Sequence, residues 1–169
     1  NQYELTVGYR IPAPLMDMAT KVLVKVAPDL TPPRSVRSEG AAPRFVATKI
    51  DDPLIGLVQV VKEELQAVES GNLAVISAMS QVEEIEELLT ANQVDFGRPT
   101  RTGLDSSITV VPVGLVKGLE VDAAVVVEPE RIVGEQEQGL RALYVALTRA
   151  TKRVAIVHSL PLPEALRYF

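Results

Sequence analysis

Short aliphatic runs alternate with amphipathic stretches along almost the whole chain, and this rhythm limits the folds open to it. Leu73-Ala74-Val75-Ile76, Ile108-Thr109-Val110-Val111 and Ala123–Val127 are runs without a polar face. Such runs suit strands of a parallel sheet buried on both sides. Between them lie segments of helical period. Leu15, Met16, Ala19, Val22, Leu23 and Val26 recur at helical spacing after Pro12 and Pro14. Leu54, Leu57, Val58, Val61 and Leu65 do so over a predicted helix from Pro53 to Glu69, with Gly71 as its closing glycine. Val82, Ile85, Leu88 and Leu89 follow Ser80, which with Glu83 reads as a capping box. Gln138–Ala150 is a further predicted helix. Glu4–Val7, Arg44–Ile50 and Arg153–His158 are further predicted strands, and Gly8-Tyr9-Arg10 is a turn. Pro28–Ala42, rich in Pro, Ser and Gly, reads as an exposed loop, with Arg34 and Arg37 as candidate contacts. Alternating βα units imply a three-layer α/β domain, a mostly parallel central sheet with helices on both faces.

Composition narrows the functional classes. At 169 residues the chain fits one domain, residues 1–169, able to bury roughly 70% of its unfolded surface. Apolar residues are 47% and aromatics only 4%, so the core is aliphatic. The net charge of -5 argues against a groove that grips nucleic acid by charge alone. There is no Cys and one His, which removes disulfide, thiol and zinc chemistry. His158, on an apolar strand, reads as structural. Ser106-Ser107 lacks the partners of a serine nucleophile. Glu83, Glu84, Glu86 and Glu87 read as a solvated helix face. No apolar run approaches the about 20 residues of a membrane span. Lack of Cys and of a signal segment points to the cytoplasm. Asn1 in place of an initiator Met suggests a fragment of a longer chain.

Three segments carry candidate chemistry: Gly8-Tyr9-Arg10, Val116-Lys117-Gly118-Leu119-Glu120-Val121-Asp122, and Leu143-Tyr144-Val145-Ala146-Leu147-Thr148-Arg149-Ala150. Gly118 permits a tight backbone path beside a ligand. Glu120, at a loop–strand junction, can accept hydrogen bonds from ribose hydroxyls. Arg149, late in an apolar helix, needs an anionic partner, and its fork fits a phosphate. Tyr9-Arg10 offers a stacking face beside a second fork. Taken singly, each has a plainer role: Arg149 in a structural ion pair, Lys117-Gly118 as an ordinary turn, Tyr9 as an interface aromatic, Glu120 as a solvated carboxylate.

Their order and context resemble the UvrD/Rep-like superfamily 1 helicases, specifically their second, C-terminal RecA-like domain. The resemblance runs from Tyr9 to about His158. It implies that Tyr9 stacks on adenine, Arg10 reaches the terminal phosphate, Gly118 lines the site and Glu120 holds the ribose. It implies that Arg149 is an arginine finger. ATP with Mg²⁺ would then be bound between this domain and a first RecA-like domain of the same protein. That first domain would provide the phosphate loop and metal ligands, neither of which this chain carries. The isolated domain would be inactive, with DNA a further partner of the whole motor. Between Arg10 and Lys117 the chain is too short for the extra subdomain of UvrD and Rep. Pro112 and Gly114 occupy positions where that family usually has a Thr and a His that contact single-stranded DNA. This departure, with the ending Val157–Pro163, resembles the HelD or helicase IV-like group and implies RNA polymerase as a partner. Two alternatives stand beside the motor: a catalytically silent RecA-like protein-interaction module, and a stand-alone flavodoxin-like α/β domain.

Overall fold

The computed structural model describes residues 7, 8, 10–100 and 106–167. Along the chain run β1 (Val7–Gly8), α1 (Ala13–Val26), β2 (Arg34–Ser35), β3 (Arg44–Ala47), α2 (Leu57–Ala67) and β4 (Leu73–Ser77). Then come α3 (Met79–Ala91), β5 (Ile108–Pro112), β6 (Val121–Val127), α4 (Pro129–Glu135), α5 (Gly139–Leu147) and β7 (Ala150–His158). The central sheet has five strands in the order β3-β7-β6-β4-β5, and every pairing in it is parallel.

Pleat alternation divides the aliphatic strands between two cores. Ala74, Ile76, Ala124, Val126, Val154 and Ile156 face α1, α4 and α5. Leu73, Val75, Ala123, Val125, Ala155 and Val157 face α2 and α3. All five residues of β4 and of β5 are buried, as a strand covered by helices on both faces requires. This is the expected three-layer α/β fold, RecA-like in its architecture.

Several local expectations differ from the structure. Residues 4–6 of the first predicted strand lie outside the described residues, and Gly8 continues a strand rather than opening a turn. The predicted loop 28–42 contains β2, which pairs in parallel with β1 through Val7–Arg34 and Gly8–Ser35. Strand β3 stops at Ala47, although the Thr48 amide still donates to His158 O at 2.7 Å. Helix α2 starts only at Leu57, because Gly56 at φ +79° turns the chain into it. Its end uses Glu69 at φ +53° as the left-handed residue, not Gly71. Gly71 is small for another reason: a Cβ there would lie 2.6 Å from Asp122 Oδ2. Ser80 does not cap α3. Ala78 is the cap residue, and Ser80 Oγ donates to Glu135 at 2.6 Å. Short α4, opened by Pro129 after Glu128 at φ +50°, was not foreseen. Strands β6 and β7 begin earlier than expected, at Val121 and Ala150, so α5 ends at Leu147 and Arg149 falls outside the helix.

Candidate nucleotide site at the amino ends of β6 and β7

Strands β6 and β7 are parallel neighbours, with Val121 paired to Ala150. The residues just before them, Glu120 and Arg149, therefore stand side by side at the amino end of the sheet. The Val121 amide donates to Arg149 O at 3.1 Å, which fixes the two junctions together. Arg10 arrives from the segment leading into α1, the helix that packs along α5. Its guanidinium forms an ion pair with the Glu120 carboxylate. The pair is open to water, with side chains 73% and 52% exposed. A pair this exposed contributes at most about 1 kcal/mol, so a phosphate could displace it at little cost.

Gly118 sits in the loop before Glu120. The Leu119 amide donates to Val116 O at 3.0 Å and closes a tight turn, in which Gly118 adopts φ +83°. That left-handed conformation favours glycine. A Cβ on Gly118 would meet nothing within 4 Å, so this stretch of backbone borders open space. The neighbouring Asp122 has a structural role: its Oδ2 accepts from the Asn72 amide at 2.9 Å, while its own amide donates to Asn72 Oδ1 at 3.0 Å.

Arg149 is half-buried one residue past the C-cap Thr148 of α5. Its Nε donates to Val145 O at 2.9 Å and its Nη2 to Thr148 Oγ1 at 3.0 Å. Thr148 Oγ1 in turn lies 3.0 Å from Val145 O. The guanidinium thus caps the helix carbonyls, where a cation is favoured. Burial lowers the Arg149 pKa, opposed by Tyr144 and Glu120 nearby; an arginine stays charged regardless. Burial likewise raises the Tyr144 phenol, with Arg149 opposing it. Among the described residues no carboxylate lies within ion-pair distance of Arg149. Within the domain its hydrogen-bond partners are a helix carbonyl and a hydroxyl rather than a carboxylate, leaving a half-buried positive charge near Glu120.

The structure thus brings Arg10, Glu120 and Arg149 together, with Gly118 in the adjoining loop. Tyr9 lies outside the described residues. Thr148, which holds Arg149, was legible only as part of a motif. Arg37 is exposed, as expected from the sequence, and its guanidinium donates to two backbone carbonyls beside the site. His158 is structural as expected, its Nδ1 donating to Leu160 O at 2.9 Å. Glu83, Glu84 and Glu87 are exposed, but Glu86 is partly covered by its ion pair with Arg98. No group of three or more His, Cys, Asp or Glu among the described residues could hold a metal ion. No helix is long and apolar enough to cross a membrane, among the described residues.

An all-parallel, helix-covered sheet with two arginines and a carboxylate at one end defines a RecA-like α/β domain. Comparison with known proteins is consistent with this class. Residues 107–157, which include Gly118, Glu120 and Arg149, match the family of UvrD-like helicase C-terminal domains. The C-terminal domain of a possible DNA helicase from Lactobacillus plantarum WCFS1 superposes with a TM-score of 0.70 at 23% identity, covering 95% of this chain and 92% of that one. The SWI2/SNF2 ATPase core of Sulfolobus solfataricus, solved with double-stranded DNA, gives a TM-score of 0.53 at 16% identity, covering 95% of this chain. The present chain spans 34% of that larger protein. At these identities the two likenesses show the fold. No curated protein matches the chain significantly.

Proposed function

We infer that this domain supplies the second half of an interdomain ATP site in a UvrD-like motor. The observation that carries the reading is Arg149, a half-buried guanidinium satisfied only by carbonyl and hydroxyl oxygens, beside Arg10 and Glu120. Two guanidinium groups at one sheet end fit a polyphosphate, and a carboxylate between them fits ribose hydroxyls. Arg149 acts as the arginine finger, setting positive charge against the departing terminal phosphate. Arg10 leaves Glu120 for the same phosphate, which frees Glu120 for the ribose. Gly118 lets the backbone approach the nucleotide closely, and Tyr9 stacks on the base. ATP brings Mg²⁺ with it, and the donor set here is cationic. The metal ligands and phosphate loop therefore belong to a first RecA-like domain facing this one.

The test is ATP turnover by the full-length protein with and without single-stranded DNA. Arg149→Ala should lower kcat by about a thousandfold, the lower end of what such fingers supply, while loss of its bonds at the end of α5 lowers the thermal midpoint by only a few degrees. Turnover near wild type in that variant would sink the finger assignment. A full-length protein lacking both a phosphate loop and ATPase activity would instead favour a silent interaction module.

A narrower reading concerns the partner. Pro112 ends β5 and Gly114 follows in a single 3-10 turn, Val113–Leu115, so neither position offers a side-chain donor to a nucleic acid strand. That favours a HelD-like motor acting on RNA polymerase bound to nucleic acid. ATPase stimulation by polymerase and not by DNA supports it, and stimulation by single-stranded DNA alone rules it out.

A further inference from the structure

The segment bearing Arg10 is held by a strap formed by residues 34–40, and the contacts converge on one side chain. Strands β1 and β2 pair in parallel just before Arg10. Ser35 Oγ donates to Ile11 O, and the Arg37 amide donates to Ser35 Oγ at 3.0 Å. Arg37 O accepts from the Ala13 amide at 2.8 Å at the start of α1. The Arg37 guanidinium then joins two distant chain segments through one nitrogen. Nη1 donates to Arg10 O at 2.9 Å and to Thr151 O at 2.8 Å. Thr151 is the second residue of β7, two positions after Arg149. The strap is pressed close as well: Gly40, at φ +153°, leaves room for the Pro12 ring, which a Cβ would meet at 2.5 Å.

We propose that Arg37 is a positioning residue, which locks the backbone of Arg10 to the fixed start of β7 and so sets Arg10 beside Arg149. The proposal rests on the ATP-site reading for its functional consequence. Its logic follows from the weakness of the other restraint. The Arg10–Glu120 pair is exposed and must open when a phosphate arrives, so it cannot hold Arg10 in the working state. The Arg37 bonds go to backbone carbonyls and survive that opening. A charged donor shared by two carbonyls is stronger than a neutral one, and β7 is anchored by pairing to β6 and β3. Arg37 touches neither nucleotide nor reacting atoms in this scheme; it acts through Arg10.

The experiment is a double-mutant cycle in the full-length protein, with amide hydrogen exchange on the same variants. Arg37→Ala should lower kcat roughly tenfold while KM moves less than about twofold, as expected when a group needed in the transition state is misplaced. Arg10→Ala should lower kcat more, and the double variant should be no slower than Arg10→Ala alone, because Arg37 has nothing left to position. Exchange at the Ala13 amide, which donates to Arg37 O, should accelerate in Arg37→Ala. Wild-type kcat in Arg37→Ala, or a double variant slower by the product of the two single effects, overturns the proposal. Unchanged exchange at Ala13 overturns it too, and does so even if the wild-type protein hydrolyses no ATP. That last case would fail the ATP-site reading separately.

Discussion

Gly118 holds φ +83° with open space around the position where a Cβ would stand. Any effect of a side chain there is therefore a backbone effect. Gly118→Ala forces an L-residue into the left-handed region and should cost about 1–2 kcal/mol, measured by urea denaturation of the 169-residue chain. A cost near zero would mean that the turn relaxes and Gly118 is not fixed by its neighbours. Gly71 makes the contrast. It has no positive φ, but a methyl group there would push into the Asp122 carboxylate that holds the Asn72 amide. The two glycines look alike in the sequence, and Gly71 was read there as a helix terminator. Only three-dimensional placement separates a conformational requirement from a packing one. Arg149 teaches the same lesson. Its residue type and apolar surroundings were enough to mark it as a cation in need of partners. That those partners are Val145 O and Thr148 Oγ1 follows from the helix ending two residues earlier.

Helices α2 and the strand pair β3–β7 are joined by an ionic cluster that periodicity alone does not reveal. Glu64 is 1% exposed, yet it lies on the apolar face of α2. Arg153 of β7 reaches its carboxylate at 2.7 Å, and Arg44 of β3 lies 3.4 Å away. Glu64 hydrogen bonding raises the Arg153 pKa, and for Arg44 the leading cause of a similar rise is Glu63. The two ends of this cluster are unequal. Arg153→Ala strands a buried carboxylate with one distant cation and should cost about 3 kcal/mol. Glu64→Met leaves two arginines that are a third or more exposed and can turn to water, while Arg44 keeps its 2.7 Å contact with Glu63. It should cost clearly less than the Arg153 change. Equal losses in chemical denaturation of the two variants would show that the cluster does not isolate Glu64 from solvent. At this scale strand cores were legible because Val-rich runs have one home in a parallel sheet. Element ends were not, since Gly56, Glu69 and Glu128 reverse the chain with residues that carry no common sequence signal.

The whole molecule assembles its candidate site at the amino ends of β6 and β7, although open α/β sheets more often bind ligands at the carboxyl ends of their strands. The parallel order explains why the site could be anticipated in outline. Residues immediately preceding two adjacent parallel strands must be neighbours, so Glu120 and Arg149 meet once β6 and β7 pair. What the order of elements did not reveal is the return of residues 34–40 across the Arg10 segment, because two-residue strands such as β1 and β2 leave no periodic trace. The same geometry bears on nucleotide affinity. Arg10, Glu120 and the Gly118 loop border solvent on one side, so a nucleotide bound here would stay open to water on that side. The phosphates would lack the amide cradle that a phosphate loop supplies. Ligand stabilisation grows as RT ln(1 + [L]/Kd), so a Kd well above 1 mM yields almost no shift at millimolar nucleotide. The isolated 169-residue chain should therefore show a thermal midpoint change below about 1 °C with ATP and Mg²⁺ at about 1 mM, while the full-length protein shifts by several degrees. A large shift in the isolated chain would mean that this domain binds nucleotide alone, and the half-site reading would give way to that of a stand-alone nucleotide-binding domain.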